Sequence, residues 1–132
     1  MRALVCLALA GCFGKSGGEC VGDNDCNGGD VCARNGECAS PGDVRTVHVT
    51  WTIRGMAAST ASCGSSQSFY LMFASENIRD TFGFEPVPCS SGLFSVDKLP
   101  TRYISVEIGV DGAWAEDKTL DAQGSAAFDL AP

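Results

Sequence analysis

Basic residues are scarce in this chain. Nine Lys and Arg stand against 16 Asp and Glu, which gives a net charge of −7, and no basic cluster occurs. Such a surface would repel a nucleic-acid backbone or an anionic membrane face, so we expect no nucleic-acid partner. Histidine is rarer still: His48 is alone, and it lies among threonines. No catalytic triad can be assembled around it, and we predict that the protein is not an enzyme.

The N-terminal apolar run is too short to span a bilayer. Met1 and Arg2 are followed by "ALVCLALA", whereas a spanning helix needs about 20 apolar residues. One positive charge, a short apolar stretch and a small-residue exit are typical of an export signal. The stretch "LAGC", residues 9–12, resembles the lipobox of bacterial lipoprotein precursors. The resemblance implies a signal peptide over residues 1–11, lipid on Cys12, a tether over residues 12–19, and anchorage to the outer membrane or cell surface.

Ordinary secretion is the alternative, because Ala8, Leu9 and Ala10 also match the A-x-A pattern of the common signal peptidase. The eight cysteines help to separate the two hypotheses. Cleavage before Cys12 discards Cys6, commits Cys12 to lipid and leaves six cysteines that can pair completely. Cleavage after Ala10 leaves seven, one of them unpaired. Cysteine parity therefore favours the lipoprotein, and the cysteine density favours an oxidising compartment.

Aromatic residues are absent from residues 20–38, "CVGDNDCNGGDVCARNGEC". Cysteines at intervals of six alternate with Gly, Asn and Asp, which are turn-forming residues. So little apolar surface cannot offset the entropy of folding, and we expect two disulfides, for which three pairings are open. The spacing resembles the short cysteine modules of the EB and Dickkopf N-terminal type, also found in myxobacterial-type lipoproteins. That resemblance implies the pairs Cys20–Cys32 and Cys26–Cys38.

The same segment contains half of a calcium motif. Asp23, Asp25, Asn27 and Gly28 match the first half of an EF-hand loop, but Arg34 occupies the position of the bidentate glutamate. The weak calcium candidate is therefore the set Asp23, Asp25, Asn27 and Asp30. Zinc is disfavoured, because structural zinc sites use shorter gaps between cysteines. We predict no metal and no cofactor.

A linker, "ASPGD" at residues 39–43, separates this module from a domain over residues 44–132 that contains nearly all the aromatic residues. Residues 46–53 alternate strictly between apolar and polar side chains, which predicts a half-buried strand. Residues 69–74 suit a central strand, and residues 94–96, 104–110 and 126–130 alternate again. Asp111-Gly112 predicts a hairpin turn, and Cys63 is left to pair with Cys89. The fold class is all-β, a small antiparallel β-sandwich.

One ambiguity concerns residues 75–81. Ser75 could cap a single helical turn that places Ile78 and Phe82 on one side. A strand-to-strand loop is the other interpretation of this stretch.

Residues 91–108, "SGLFSVDKLPTRYISVEI", resemble a segment of carboxypeptidase-regulatory-like and transthyretin-like sandwiches. The resemblance implies that Gly92 makes a turn, that Phe94 and Val96 enter the core, that Leu99-Pro100 closes one end, and that Tyr103 starts the next strand. It supports the sandwich and assigns no activity.

The function expected from these features is a non-catalytic binding or structural role for a lipid-anchored surface protein, with an unknown protein or glycan partner. The alternatives are a secreted disulfide-rich inhibitor or ligand and a calcium-dependent adhesion module. If exposed, the side chains Tyr70, Arg102, Tyr103 and Trp114 would form a binding surface, although aromatics in so small a domain are usually buried.

Overall fold

A computed structural model describes residues 20–66 and 68–132 of the chain. The strands are β1 Val31–Cys32, β2 Cys38–Ala39, β3 Val44–Ile53, β4 Met56–Ala57, β5 Ser68–Ala74, β6 Thr81–Pro88, β7 Leu93–Pro100, β8 Ser105–Val110, β9 Trp114–Thr119 and β10 Ser125–Leu130. One short helix, α1, spans Thr60–Cys63, and 3-10 turns span Asp23–Asp25, Pro41–Asp43 and Cys89–Ser91. Within the described residues, no helix has the length and apolarity needed to cross a membrane.

Two four-stranded sheets form the sandwich, as the alternating patterns predict. In the second sheet the order is β6-β5-β8-β9, and every pair is antiparallel. The first sheet is built around β3, which pairs with β7 and β4 along one edge and with β10 along the other. The prediction of a mostly antiparallel all-β fold is confirmed. The pair β10–β3 is the exception, because the last strand runs parallel to the first strand of the domain.

The core lies between the two sheets and follows the predicted alternation. In β3 the side chains of Val47, Val49, Trp51 and Ile53 are buried, while the polar residues between them are exposed. Strand β5 contributes three more buried side chains and lies at the interior of its sheet, as its apolar run predicts. The buried residues of this strand are Phe69, Leu71 and Phe73.

A buried disulfide closes one end of the core. Cys63 at the end of α1 is bonded to Cys89 at a sequence separation of 26, and both side chains are buried. The indole Nε1 of Trp51 donates a hydrogen bond to the carbonyl oxygen of Cys89 at 2.8 Å. The turn after Cys89 therefore has both covalent and polar attachment to the core.

Several local predictions need correction or refinement. Residues 75–80 form the loop between β5 and β6 with no helical turn, because the backbone N–H of Ser75 donates to the carbonyl of Asp80 across the loop. Tyr103, which the resemblance places at the start of the next strand, and Ile104, which its alternation places in that strand, both precede β8, and Ile104 is 38% exposed. Asp111-Gly112 does form the β8–β9 hairpin turn, and Gly112 has a φ of 73°.

Candidate functional site

The outer face of the second sheet carries an open groove of about 690 Å³. Its lining includes Tyr70 and Met72 of β5, Gly83 and Glu85 of β6, Glu107 of β8, and Asp111 of the hairpin turn. These side chains come together because Met72 lies opposite both Gly83 and Glu107 in the ladder, and Tyr70 lies opposite Gly109. Its volume is within the range of small-ligand pockets. We call this set of residues the acidic groove.

Glycine and tyrosine together shape the floor of the acidic groove. A Cβ atom on Gly109 would lie 2.8 Å from the Tyr70 hydroxyl oxygen and 2.5 Å from the carbonyl oxygen of Trp114. The tyrosine ring therefore lies directly over Gly109, which has no side chain and is buried beneath the ring. Gly83, across β5, leaves the opposite side of the floor bare.

Tyr70 is fixed in the groove by a hydrogen bond. Its hydroxyl donates to Oε1 of Glu107 at 2.7 Å. This hydrogen bond to a carboxylate is the main cause that raises the pKa of Tyr70 to about 12, with burial adding to it. Tyr70 therefore remains a neutral donor over the physiological pH range.

The charge of the acidic groove is entirely negative. Glu85, Glu107 and Asp111 line it, and Glu107 also lies directly opposite Asp117 of β9. Like charges placed opposite each other across a ladder destabilise a sheet. Lys118, the next residue of β9, does not relieve this, because its Nζ lies 5.4 Å from the ring centroid of Phe128 in the other sheet. Such a surface is complementary to a cationic group with an apolar stem.

A second polar cluster joins the cysteine module, residues 20–38, to the end of the sandwich. The guanidinium of Arg102 donates to both carboxylate oxygens of Glu37 and to Oδ2 of Asp80, each at 2.7 Å. The Tyr103 hydroxyl donates to Oδ1 of Asp80 at 2.9 Å and accepts from Nδ2 of Asn35 at 3.4 Å. We call these five residues the Arg102 cluster. It joins the module, the β5–β6 loop and the sandwich.

Lys98 holds a second attachment of the module. Its Nζ lies 2.9 Å from both carboxylate oxygens of Asp23, and its carbonyl oxygen accepts the backbone N–H of Arg34 at 3.0 Å. Arg34 in turn forms an ion pair with Asp97. Lys98 has a φ of 53°, an uncommon conformation for a residue with a side chain. The bonds to the module offset the strain of that conformation.

These contacts lower the pKa of four carboxyl groups at the junction. Hydrogen bonds from Lys98 lower the pKa of Asp23, those from Arg34 lower that of Asp97, and those from Arg102 lower the pKa values of Glu37 and Asp80. Burial opposes the shift in each case but is the weaker effect. The junction is therefore electrostatic.

The structure contains the disulfides Cys20–Cys32, Cys26–Cys38 and Cys63–Cys89. The first two are the pairs that the resemblance to short cysteine modules implies, and the third joins the two cysteines left over. The sulfurs of Cys20, Cys26 and Cys38 lie within 4.8 Å of one another. They are disulfide sulfurs, so this grouping offers no thiolate ligands for a metal. Cys12, the predicted lipidation site, lies outside the described residues.

The calcium candidate residues are not gathered around one point. Asp23 accepts from the Cys32 backbone N–H and pairs with Lys98, and Oδ2 of Asp25 accepts the N–H groups of Val21 and Gly22. The carbonyl oxygen of Asn27 accepts the backbone N–H of Asp30 in a turn. In the described residues, these carboxylates form no group of three within ligand distance of one another. A calcium ion would have to displace the Lys98 ammonium.

Of the four residues of the candidate binding surface, Tyr70 lines the acidic groove. Tyr103 is buried, and Trp114 packs edge-on against Phe69 at 5.5 Å between ring centroids. Arg102 is engaged in the cluster described above. His48 is exposed, and its Nδ1 lies 2.7 Å from Oγ of Ser95 on the outer face of the first sheet.

Sequence reasoning missed the acidic groove. Its acids come from β6, β8 and the hairpin turn, and the sequence contains no motif that joins them. One signal was available: Ser105, Glu107 and Gly109 occupy one face of β8, opposite the apolar face of Val106, Ile108 and Val110. No family model, no curated protein and no solved structure matches this chain.

Proposed function

We propose that this chain is an exported lipoprotein, anchored through Cys12 to the outer membrane or cell surface, with a non-catalytic binding role. The observation that carries the proposal is the pairing of the six cysteines from residue 20 onward. Because they pair among themselves, folding requires neither Cys6 nor Cys12 as a partner. Cys12 is then available for lipid, and an oxidising compartment supplies the disulfides.

The anchor is tested on protein produced in a host that processes lipoproteins. Intact mass spectrometry is expected to show acyl chains on a mature N-terminus at Cys12, and the protein should enter the detergent-rich phase on phase partitioning. A Cys12→Ser variant is the control and should lose both properties. An unmodified N-terminus at Gly11, together with complete partition into water, would support secretion and refute the anchor.

The binding role is assigned to the acidic groove. An open concave surface with three carboxylates, a fixed tyrosine and an exposed methionine suits a cationic side chain with an aliphatic stem. The sequence leaves the partner as a protein or a glycan. The charge of the groove favours a protein with an exposed basic residue. The carboxylates bind the cation, and Met72 and the Tyr70 ring contact its stem.

The probe for this role is N-acetyl-arginine amide, titrated into the full chain and followed by amide NMR. Shifts should concentrate at the groove, and they should weaken in a Glu85→Gln/Glu107→Gln variant. Asp43→Asn/Glu116→Gln removes the same charge at exposed residues outside the lining and is the matched control. Equal weakening in both variants would indicate only a diffuse field.

For the family, we propose that the sandwich is of the carboxypeptidase-regulatory-like or transthyretin-like type and the cysteine module of the EB or Dickkopf type. Gly92 has a φ of 66° at the turn, and Val96, Leu99 and Tyr103 are buried, which supports the first. The pairs Cys20–Cys32 and Cys26–Cys38 support the second.

A further inference from the structure

The loop between β5 and β6, residues 75–80, is closed by its own hydrogen bonds. The carbonyl oxygen of Asn77 accepts from the Asp80 N–H at 2.8 Å and from the Ser75 hydroxyl at 2.9 Å. The Oδ1 atom of Asn77 accepts the backbone N–H of Arg79 at 3.2 Å. We call these six residues the tip loop.

The tip loop is also held from below. Asp80, its last residue, accepts from Arg102 and from Tyr103, and Arg102 is held in turn by Glu37 of the cysteine module. A loop fixed at its base loses little conformational entropy when it binds, which favours recognition. The module thus contributes to the order of a loop on the sandwich.

Two side chains at the top of the tip loop lack partners. Ile78 is 82% exposed. Arg79 is exposed, and within residues 20–66 and 68–132 its guanidinium makes no hydrogen bond or ion pair. The other six cations of that region each have one, to a carboxylate or a carbonyl oxygen: Arg34, Arg45, Arg54, Lys98, Arg102 and Lys118.

The tip loop does not pair with the acidic groove of its own chain. Met72 and Gly83, at the near end of the groove, lie two residues from Ala74 and Thr81, which flank the loop. From there the groove extends past Tyr70, opposite Gly109, to Asp111 in the hairpin turn at the other end of the sheet. Within residues 20–66 and 68–132, Arg79 forms no ion pair with the carboxylates of the groove.

We propose that the tip loop of one copy docks in the acidic groove of a second copy. Arg79 would meet Glu85 and Glu107, and Ile78 would contact Met72 and the Tyr70 ring. This inference rests on the proposed binding role of the groove and names its occupant. The contact joins two different surfaces, so each added copy leaves one loop and one groove open, and the assembly extends head to tail.

The test is sedimentation velocity of the full mature chain in density-matched detergent. At low salt, species larger than one protomer should grow with concentration, and they should weaken at high salt because the contact is ionic. Arg79→Glu should weaken self-association at least about tenfold. Arg54→Glu changes the net charge equally at another exposed turn, and it should leave association unchanged.

A mixing experiment tests the head-to-tail geometry. Arg79→Glu retains the groove. Glu85→Lys/Glu107→Gln retains the loop, and the amide oxygen introduced at position 107 can still accept from the Tyr70 hydroxyl. Each variant alone should be monomeric, and an equimolar mixture should form dimers and nothing larger. A circular dichroism spectrum that matches that of the wild type, recorded for each variant, excludes misfolding as the cause.

Two results would overturn the inference: a wild-type chain that stays monomeric at low salt, or an Arg79→Glu chain that still associates. The probe N-acetyl-arginine amide then separates the two proposals. If it still shifts the groove amides of the monomeric wild type, the groove is a site for another basic partner and the proposed binding role stands. If it shifts none, both proposals fail.

Discussion

The cysteine module and the sandwich are stabilised by different means. The sandwich has a continuous buried core of residues from both sheets, with one buried disulfide at its end. In the module, among residues 20–38, only Ala33 is buried, and two disulfides attach Cys20 and Cys26 to the two-residue strands β1 and β2. The hydrophobic effect stabilises the first, whereas cross-links and ion pairs stabilise the second.

This difference predicts which perturbations destabilise each region. The loss of buried methyl groups destabilises a hydrophobic core. Reduction and acid destabilise a segment that is cross-linked by disulfides and attached through carboxylates. The Arg102 cluster is where the two regions meet, so damage to the module reaches the sandwich through it. Four experiments test this difference between the module and the sandwich.

The largest effect is expected from Phe73→Ala. Phe73 is fully buried in β5, and its ring contacts Phe84 edge-on at 6.1 Å. Its loss should lower the free energy of unfolding of the sandwich by about 3–5 kcal/mol in urea denaturation. Met72→Ala, the next residue on the outer face, is the control and should cost no more than about 0.5 kcal/mol. Equal losses would contradict the assignment of the two faces.

The core was the part of the fold that the sequence could predict. Alternation in β3 identifies Val47, Val49 and Trp51 as buried, because a strand with one buried face must alternate. The parallel pairing of β10 with β3 could not be predicted, because alternation indicates a face and says nothing about the neighbouring strand. Strands β6 and β9 were also missed, since Pro86, Pro88 and the run of charges from Glu116 to Lys118 break the pattern of a buried strand.

The groove and the Arg102 cluster were beyond sequence reasoning for another reason. Glu37, Asp80 and Arg102 meet from three distant segments, and each alone has the pattern of an ordinary surface charge. The acids of the groove are equally dispersed in sequence. Long-range charge pairing depends on topology, which short patterns do not specify.

The second largest effect should come from removing the buried disulfide. Cys63→Ala/Cys89→Ala opens a loop with a sequence separation of 26, which costs about 3 kcal/mol in the chain-entropy model. Urea denaturation of the sandwich would show this loss. Cys26→Ala/Cys38→Ala is the comparison variant and should accelerate amide exchange in the module and, through Glu37 and Arg102, in the tip loop, while it leaves the core of the sandwich unchanged. A full loss of sandwich stability in that variant would mean that the two regions fold as one unit.

Acid should loosen the module before it unfolds the sandwich. The four junction carboxyls have pKa values below their ordinary values of 3.8 for Asp and 4.5 for Glu. Their contribution to stability is therefore present above those values and is lost as the pH falls through the lowered ones. In an NMR titration from about pH 6 to about pH 2.5, amides of residues 20–38 should shift first. Amides of the module and of the sandwich that shift at the same pH would contradict an electrostatic junction.

The smallest effect on stability is expected from Arg102→Lys, which tests the role of Arg102. In Arg102→Lys the charge remains, but one ammonium cannot reproduce the fork that bonds Glu37 with two nitrogens and Asp80 with the third. Because Arg102, Glu37 and Asp80 are partly exposed, we expect a loss of about 1 kcal/mol or less in the free energy of unfolding. The sharper readout is amide exchange, which should accelerate in the tip loop as well as in the module. Lys98→Arg, at the other attachment, should accelerate exchange in the module alone, since Lys98 bonds to Asp23 and to nothing in that loop. Exchange that rises equally in the tip loop of both variants would show that the Arg102 cluster does not hold the loop.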